Sequence, residues 1–222
     1  MIFNELANIW RKKDLLTQAI SDSKEMLEIA YDIFHSIKNK VLDFEGDEVD
    51  LEEVKKKDYL LNHFERSIKK KVFEHVSLND KEDQNLYSSF VLISIVGNIE
   101  RLGDYTKNIS EIVDERDRLK SNKYNKILND LLNETDKLFK ETLRAYLKTD
   151  FDKAQEINSI QHDIKSKVDT LVKDLIRDEN SDDNLVIYAL MFRYIKRVAS
   201  HLMHISTSIT NSIDNIGYYR DE

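Results

Sequence analysis

The chain has 222 residues, no Pro, no Cys and only four Gly. The lack of Cys excludes disulfides, thiolate nucleophiles and Cys-ligated zinc. A formal charge of −8 lacks the basic surplus of a general nucleic-acid binder, and runs such as Lys55-Lys56-Lys57 and Lys69-Lys70-Lys71, flanked by acidic residues, read as solvated helix faces. Pro breaks helices and Gly costs about 1 kcal/mol inside one, so a chain poor in both, with apolar residues at regular spacing, reads as all-α. The start, Met1-Ile2-Phe3-Asn4-Glu5-Leu6, lacks a basic and then apolar leader, and no segment approaches an apolar run of about 18 residues. A cytoplasmic protein is expected, touching membrane only through partners.

In chain order, helix 1 is expected from about Glu5 to Lys40, with an inward stripe of Leu16, Ala19, Met26, Ala30, Ile33 and Ile37. Asp43-Phe44-Glu45-Gly46-Asp47 closes it. Helix 2 is expected from Leu51 to His75, followed by Ser77-Leu78-Asn79-Asp80 as turn and cap, and helix 3 from Asp83 to Arg118. Helix 4 follows Ser121-Asn122, with Tyr124, Leu128, Leu131, Thr135, Leu138 and Thr142 on one face. Helix 5 starts after Thr149-Asp150, a good N-cap pair, and runs to Arg177. A polar loop from Asp178 to Asp183 leads to helix 6, Asn184 to Ile213.

The pattern repeats. Val49-Asp50-Leu51-Glu52-Glu53-Val54 precedes helix 2, and Thr149-Asp150-Phe151-Asp152-Lys153-Ala154 precedes helix 5, 100 residues later. Ile99-Glu100-Arg101-Leu102 lines up with Ile195-Lys196-Arg197-Val198, 96 residues on. The expected fold class is therefore all-α: two tandem, pseudo-symmetric antiparallel three-helix bundles, residues 1–119 and 120–222.

Three places break the apolar pattern. On helix 2, Val54, Leu61, Ile68 and Val72 obey the 3.6 period, but Asp58 and Glu65 fall near the stripe's centre. Buried carboxylates are paired, protonated or metal-bound, so either a wet inner face with Lys or Arg partners, or an ion site, accounts for them. On helix 5, Asn158, Gln161 and Lys165 sit among Ala154, Ile164, Val168, Leu171 and Leu175. On helix 3, Glu100 and Asp104 lie at i and i+4, one turn apart on one face. Like charges so placed repel unless a cation bridges them, and hard or borderline divalent ions favour such carboxylate sets. A solvated acidic face, with Arg101 pairing elsewhere, accounts for the same spacing.

Glu100-Arg101-Leu102-Gly103-Asp104, continued by Asn108-Ile109, resembles the E-R-[IL]-G-D signature that PhoU domains carry in the third helix of each three-helix repeat. Asp58, Asn62 and Glu65 approximate the family's second-helix carboxylate pattern. The resemblance spans nearly the whole chain in element order, repeat length and size. It implies a small iron or zinc site held by Glu100, Asp104, Asp58 and Glu65. It also implies a role in restraining phosphate uptake and phosphate signalling, through contact with a phosphate transporter component or a sensor histidine kinase. The second half departs from the signature, with Lys196-Arg197-Val198-Ala199-Ser200 at the matching place, so at most one family-type metal site per chain is expected. His201 and His204, at i and i+3, and His162 are weaker ligand candidates.

No Ser-His-Asp set, Gly-rich phosphate loop or Glu-x-x-His motif is recognisable, so a non-enzymatic regulator is expected. A metal-dependent enzyme or metal store built on the same carboxylates, and a metal-free helical adaptor, are the alternatives. Tyr188, Phe192, Tyr218 and Tyr219 read either as ordinary packing or as outer-face aromatics that cover a partner, the second compatible with a homodimer.

Overall fold

The computed structural model describes residues 2–42, 50–78, 85–113, 124–148, 151–178 and 184–210, and the side chains of most of them. Six helices account for the described residues: α1 (Ile2–Leu42), α2 (Leu51–Leu78), α3 (Asn85–Val113), α4 (Asn125–Lys148), α5 (Phe151–Arg177) and α6 (Leu185–Thr210). None of them is long and apolar enough to cross a membrane. Ser77 and Leu78, expected in a turn, continue α2. The capping or turn roles expected of residues 43–47, 79–80, 121–122 and 149–150 lie outside the described residues.

Local chemistry explains why the helices form where they do. Asp50 caps α2, its Oδ1 accepting from the backbone amides of Glu52 and Glu53 at 3.0 Å each and so satisfying donors that have no partner within the helix. The stripes read from sequence on α1 and α4 are buried, from Leu16 to Ile37 and from Tyr124 to Thr142. Thr106, Thr135 and Thr142 reach the core by donating their hydroxyls to the carbonyls of Leu102, Leu131 and Leu138, one turn back.

Helices α1, α2 and α3 pack against one another, as do α4, α5 and α6; α3 against α6 and α1 against α4 join the two sets. At the α1–α4 seam, Phe139 lies 5.6 Å from Phe34 and edge-on to Tyr31 at 5.5 Å. Ser23 Oγ and the Tyr146 hydroxyl share a buried hydrogen bond of 2.7 Å, and Asp136 accepts from Lys38 at 3.3 Å and meets His35 at 2.8 Å.

The α3–α6 seam has an internal two-fold. Positions 98 and 105 of α3 correspond to 194 and 201 of α6, each 96 residues on. Asn98 meets His201 across the seam, with His201 Nδ1 and Asn98 Oδ1 2.8 Å apart, while Tyr105 meets Tyr194 with ring centroids 6.2 Å apart. The two contacts join the same pair of positions in opposite directions, so the helices run antiparallel and the halves are related as subunits of an isologous dimer are. Tyr105 stacks on its own counterpart, His201, at 5.5 Å and 21°.

Of the two readings of the α6 aromatics, packing holds and the outer face does not. Tyr188 and Phe192 are fully buried, clustered with Tyr124 at 5.8 to 6.5 Å, and are not an outer surface. Helix α6 packs against α3, α4 and α5 at once, so apolar residues are needed round most of its circumference. Tyr218 and Tyr219 lie outside the described residues.

Candidate functional site

The α2–α3 pair builds the site. Gly103, in the Glu100–Asp104 segment, faces Leu61 and Asp58 of α2. A methyl placed on it would overlap Leu61 Cδ1 on α2 and stand 3.8 Å from Asp58 Oδ1. Leu61 is fully buried, so the missing side chain at Gly103 leaves room for the Leu61 side chain where α2 packs on α3. That packing sets Asp58 and Glu65, either side of Leu61 on α2, against Glu100 and Asp104 on α3.

The four carboxylates proposed from sequence are thus brought together. Their side chains are shielded but not sealed: 15% exposed for Asp58 and Glu100, 18% for Glu65 and 30% for Asp104. Burial, and then the negative charges of Asp104, Glu65 and Asp58, push the Glu100 carboxyl above its ordinary proton affinity, against a smaller opposing pull from Arg101. An excess of negative charge therefore focuses on Glu100.

Basic side chains meet the other three. Lys107 on α3 donates to Asp58 Oδ2 at 3.0 Å, and that bond is the main reason its ammonium is held above the usual lysine range. Lys69 donates to Glu65 Oε1 at 2.6 Å. Arg101 donates to Asp104 Oδ2 at 3.1 Å, with its Nε 3.6 Å from Glu100 Oε2. Asn62 donates back to the Asp58 carbonyl at 3.0 Å. With the side chains so engaged, no three His, Cys, Asp or Glu groups among the described residues converge as a metal-ligand set. The donor chemistry suits a hard or borderline cation, and seating one requires Lys107, Lys69 and Arg101 to release their carboxylates.

The second half shows what happens when the carboxylates are replaced. Burial fixes the register left open by the sequence: Val54, Leu61 and Val72 of α2 match Ile157, Ile164 and Leu175 of α5, each 103 residues later. Asp58 then corresponds to Gln161 and Glu65 to Val168, while Glu100 and Asp104 correspond to Lys196 and Ser200. Lys165 matches Asn62, not a carboxylate. Lys196 forms an ion pair with Asp169 of α5 and holds its carboxyl below the usual range, while the Ser200 hydroxyl donates to the Lys196 carbonyl at 2.9 Å. A fixed ammonium thus stands at the place of Glu100.

His201 and His204 belong to the seam between the halves. Burial, reinforced by His204, Arg197 and Arg101, lowers His201 to about 4, and burial lowers His204. Their rings lie 5.8 Å apart, with His201 spent on Asn98. His162 is exposed on α5.

Residues 16–113, which contain all four carboxylates, match the family model of the PhoU domain. The first repeat of this chain is thus similar to a PhoU domain. The chain is 24% identical over 170 residues to a phosphate-specific transport system accessory protein PhoU homolog of Clostridium acetobutylicum, covering 73% of this chain and 76% of that protein. It is 22% identical over 201 residues to PhoU homolog 1 of Thermotoga maritima, covering 88% and 79%. Two crystal structures share the fold over both halves. The phosphate transport system regulatory protein PhoU of Streptococcus pneumoniae has a TM-score of 0.65 at 18% identity, covering 91% of this chain and 94% of that one. PhoU of Pseudomonas aeruginosa has a TM-score of 0.67 at 15% identity, covering 91% and 95%. The PhoU family model therefore reaches the first repeat, and the second shares the fold of those structures.

Proposed function

We propose that this protein is a non-enzymatic, cytoplasmic regulator of phosphate uptake and phosphate-responsive signalling, acting by contact with a phosphate transporter component or a sensor histidine kinase. The observation that carries this reading is the intact Glu100-Arg101-Leu102-Gly103-Asp104 segment seated against α2 in a PhoU domain, in a chain whose relatives are named as phosphate transport accessory proteins. The test is deletion of the gene in its host with phosphate uptake measured in phosphate-replete medium. Uptake that is no longer restrained, and that returns to normal on complementation, supports the reading. Uptake unchanged by deletion sinks it.

The same carboxylates are the proposed place for a metal. Glu100, Asp104, Asp58 and Glu65 would hold one iron, zinc or other divalent ion, which would supply a fixed positive charge between α2 and α3 and a point where phosphate could be bridged to an otherwise repelling surface. Metal analysis by inductively coupled plasma mass spectrometry on tag-free protein decides it. A near-stoichiometric metal lost in Glu100→Gln/Asp104→Asn supports the site. No metal in either protein, even after incubation with iron or zinc, leaves a metal-free adaptor. That second reading draws its support from Lys107, Lys69 and Arg101, which already meet the carboxylates.

A further inference from the structure

The outer face of α2 carries a second feature, away from the carboxylates. Lys56, Tyr59, His63, Arg66, Lys70 and Phe73 follow one another at alternating steps of three and four residues, and all are exposed. Such spacing forms a straight single-file stripe along a helix, the geometry of a coiled-coil seam. At 1.5 Å per residue it runs about 25 Å. Tyr59 and Phe73 are 73% and 72% exposed, far more than their apolar area favours in a surface that only meets water. Helix α2 packs on α1 and α3; Asp58 and Glu65 are part-buried off the stripe, and the part-buried Glu74 stands 4.0 Å from the Lys70 ammonium, a loose exposed pair that a partner's carboxylate can replace.

The second repeat is an internal control. At the equivalent positions of α5, 103 residues on, stand Ser159, His162, Ser166, Asp169, Lys173 and Ile176. The same helix in the same bundle position keeps an exposed apolar residue, Ile176, and one cation, Lys173, but neither the aromatic pair nor the run of cations. The α2 stripe is not something the fold requires.

We infer that this stripe of α2 is a docking surface for an acidic amphipathic helix of a partner protein, whose apolar positions cover Tyr59 and Phe73 and whose carboxylates meet Lys56, Arg66 and Lys70. Charge complementarity selects this occupant. An anionic bilayer or a nucleic acid extends past the stripe and meets the negative surplus of a chain with net charge −8, whereas a single helix touches only the stripe. The seam-like spacing selects a rod over a flat or globular contact. A second copy of this chain is the poorer occupant, because an isologous pairing of the stripe with itself brings no carboxylate to Lys56, Arg66 and Lys70.

The inference rests on the regulator reading only in that both need a protein partner. The test places the photocrosslinker p-benzoylphenylalanine at Tyr59 or at Phe73 of the full-length protein in its host, with crosslinked peptides sequenced by mass spectrometry. The expected result is one partner, caught at two points of a single acidic helical segment about 21 Å apart, the span of 14 helical residues. Both crosslinks should be lost in Lys56→Glu/Arg66→Glu/Lys70→Glu and weakened in the milder Lys56→Ser/Arg66→Ser/Lys70→Ser, each checked for unchanged helicity. Crosslinks to a second copy of this chain, to no protein, or to a partner retained in both charge variants overturn the inference. So does flotation with phosphatidylglycerol/phosphatidylcholine vesicles that depends on Tyr59 and Phe73, which would make the occupant a membrane. If deletion releases phosphate uptake but the charge variants do not, the docking surface fails while the regulator reading stands. If deletion changes nothing, the crosslinks still decide the stripe.

Discussion

Two glycines in one helix should respond in opposite ways to the same substitution. Gly97 and Gly103 both lie within α3, so alanine at either should gain about 1 kcal/mol in helix propensity and lost unfolded-state freedom. A methyl at Gly97 meets nothing within 4 Å, so Gly97→Ala should keep that gain. A methyl at Gly103 overlaps the end of the Leu61 side chain, which is fully buried and has to shift to admit it. Overpacking of that kind costs about 1–3 kcal/mol, so Gly103→Ala should lie between neutral and about 2 kcal/mol destabilised. The difference between the two variants removes the shared propensity gain and isolates the clash. Urea unfolding followed by circular dichroism measures it, and thermal midpoints should separate by about 2–4 °C for each kcal/mol. Leu61→Ala alone should cost about 2–5 kcal/mol, and combining it with Gly103→Ala should cost less than the two costs added. If Gly103→Ala stabilises as much as Gly97→Ala, α2 and α3 are not in the packing that assembles the four carboxylates.

Glu100 binds its proton more tightly folded than unfolded, so it favours the folded state below the ordinary glutamate range and weighs against it as pH rises through its raised value. Glu100→Gln should therefore be more stable than wild type at neutral pH, the advantage fading toward pH 4, as read from urea midpoints across pH. His201 has the opposite sign: lowered from 6.5 to about 4, it loses folding free energy as pH falls between those values. Replacing it by Asn should flatten the acid side of the stability profile over that window. Lys107→Met leaves Asp58 part-buried without its partner, and should destabilise by about 1–3 kcal/mol in chemical denaturation. Asp58→Asn in the same background should restore part of that loss.

The six helices were readable because their stripes follow one period and nothing interrupts them: every residue of the α1 and α4 stripes is buried as spacing demands. The Glu100–Asp104 face and the odd placement of Asp58 and Glu65 were readable for the same reason, since a carboxylate in an apolar stripe stands out at any register. What spacing does not reveal is which helices meet. Spacing alone leaves Tyr188 and Phe192 open between packing and an outer face, and the three neighbours of α6 decide for packing. Lys107 as the partner of Asp58 comes from another helix, 49 residues away, and only the antiparallel α2–α3 register brings it there. Tyr59 and Phe73 were passed over because aromatic residues are usually packed, and exposure is a property of neighbours, not of identity.

The two-fold seam between α3 and α6 gives the molecule the frame of a dimer, but the frame is filled unevenly. A dimer of two identical halves would offer each outer surface twice and could bridge two partners at once. Here the carboxylate set and the α2 stripe exist once: Gln161, Val168, Lys196 and Ser200 hold the places of the carboxylates, and Ser159, His162 and Asp169 those of Lys56, Tyr59 and Arg66. A duplicated scaffold has thereby become monovalent: one chain can engage one partner through this surface, its occupancy rises with concentration without avidity, and it cannot knit several partners into an array.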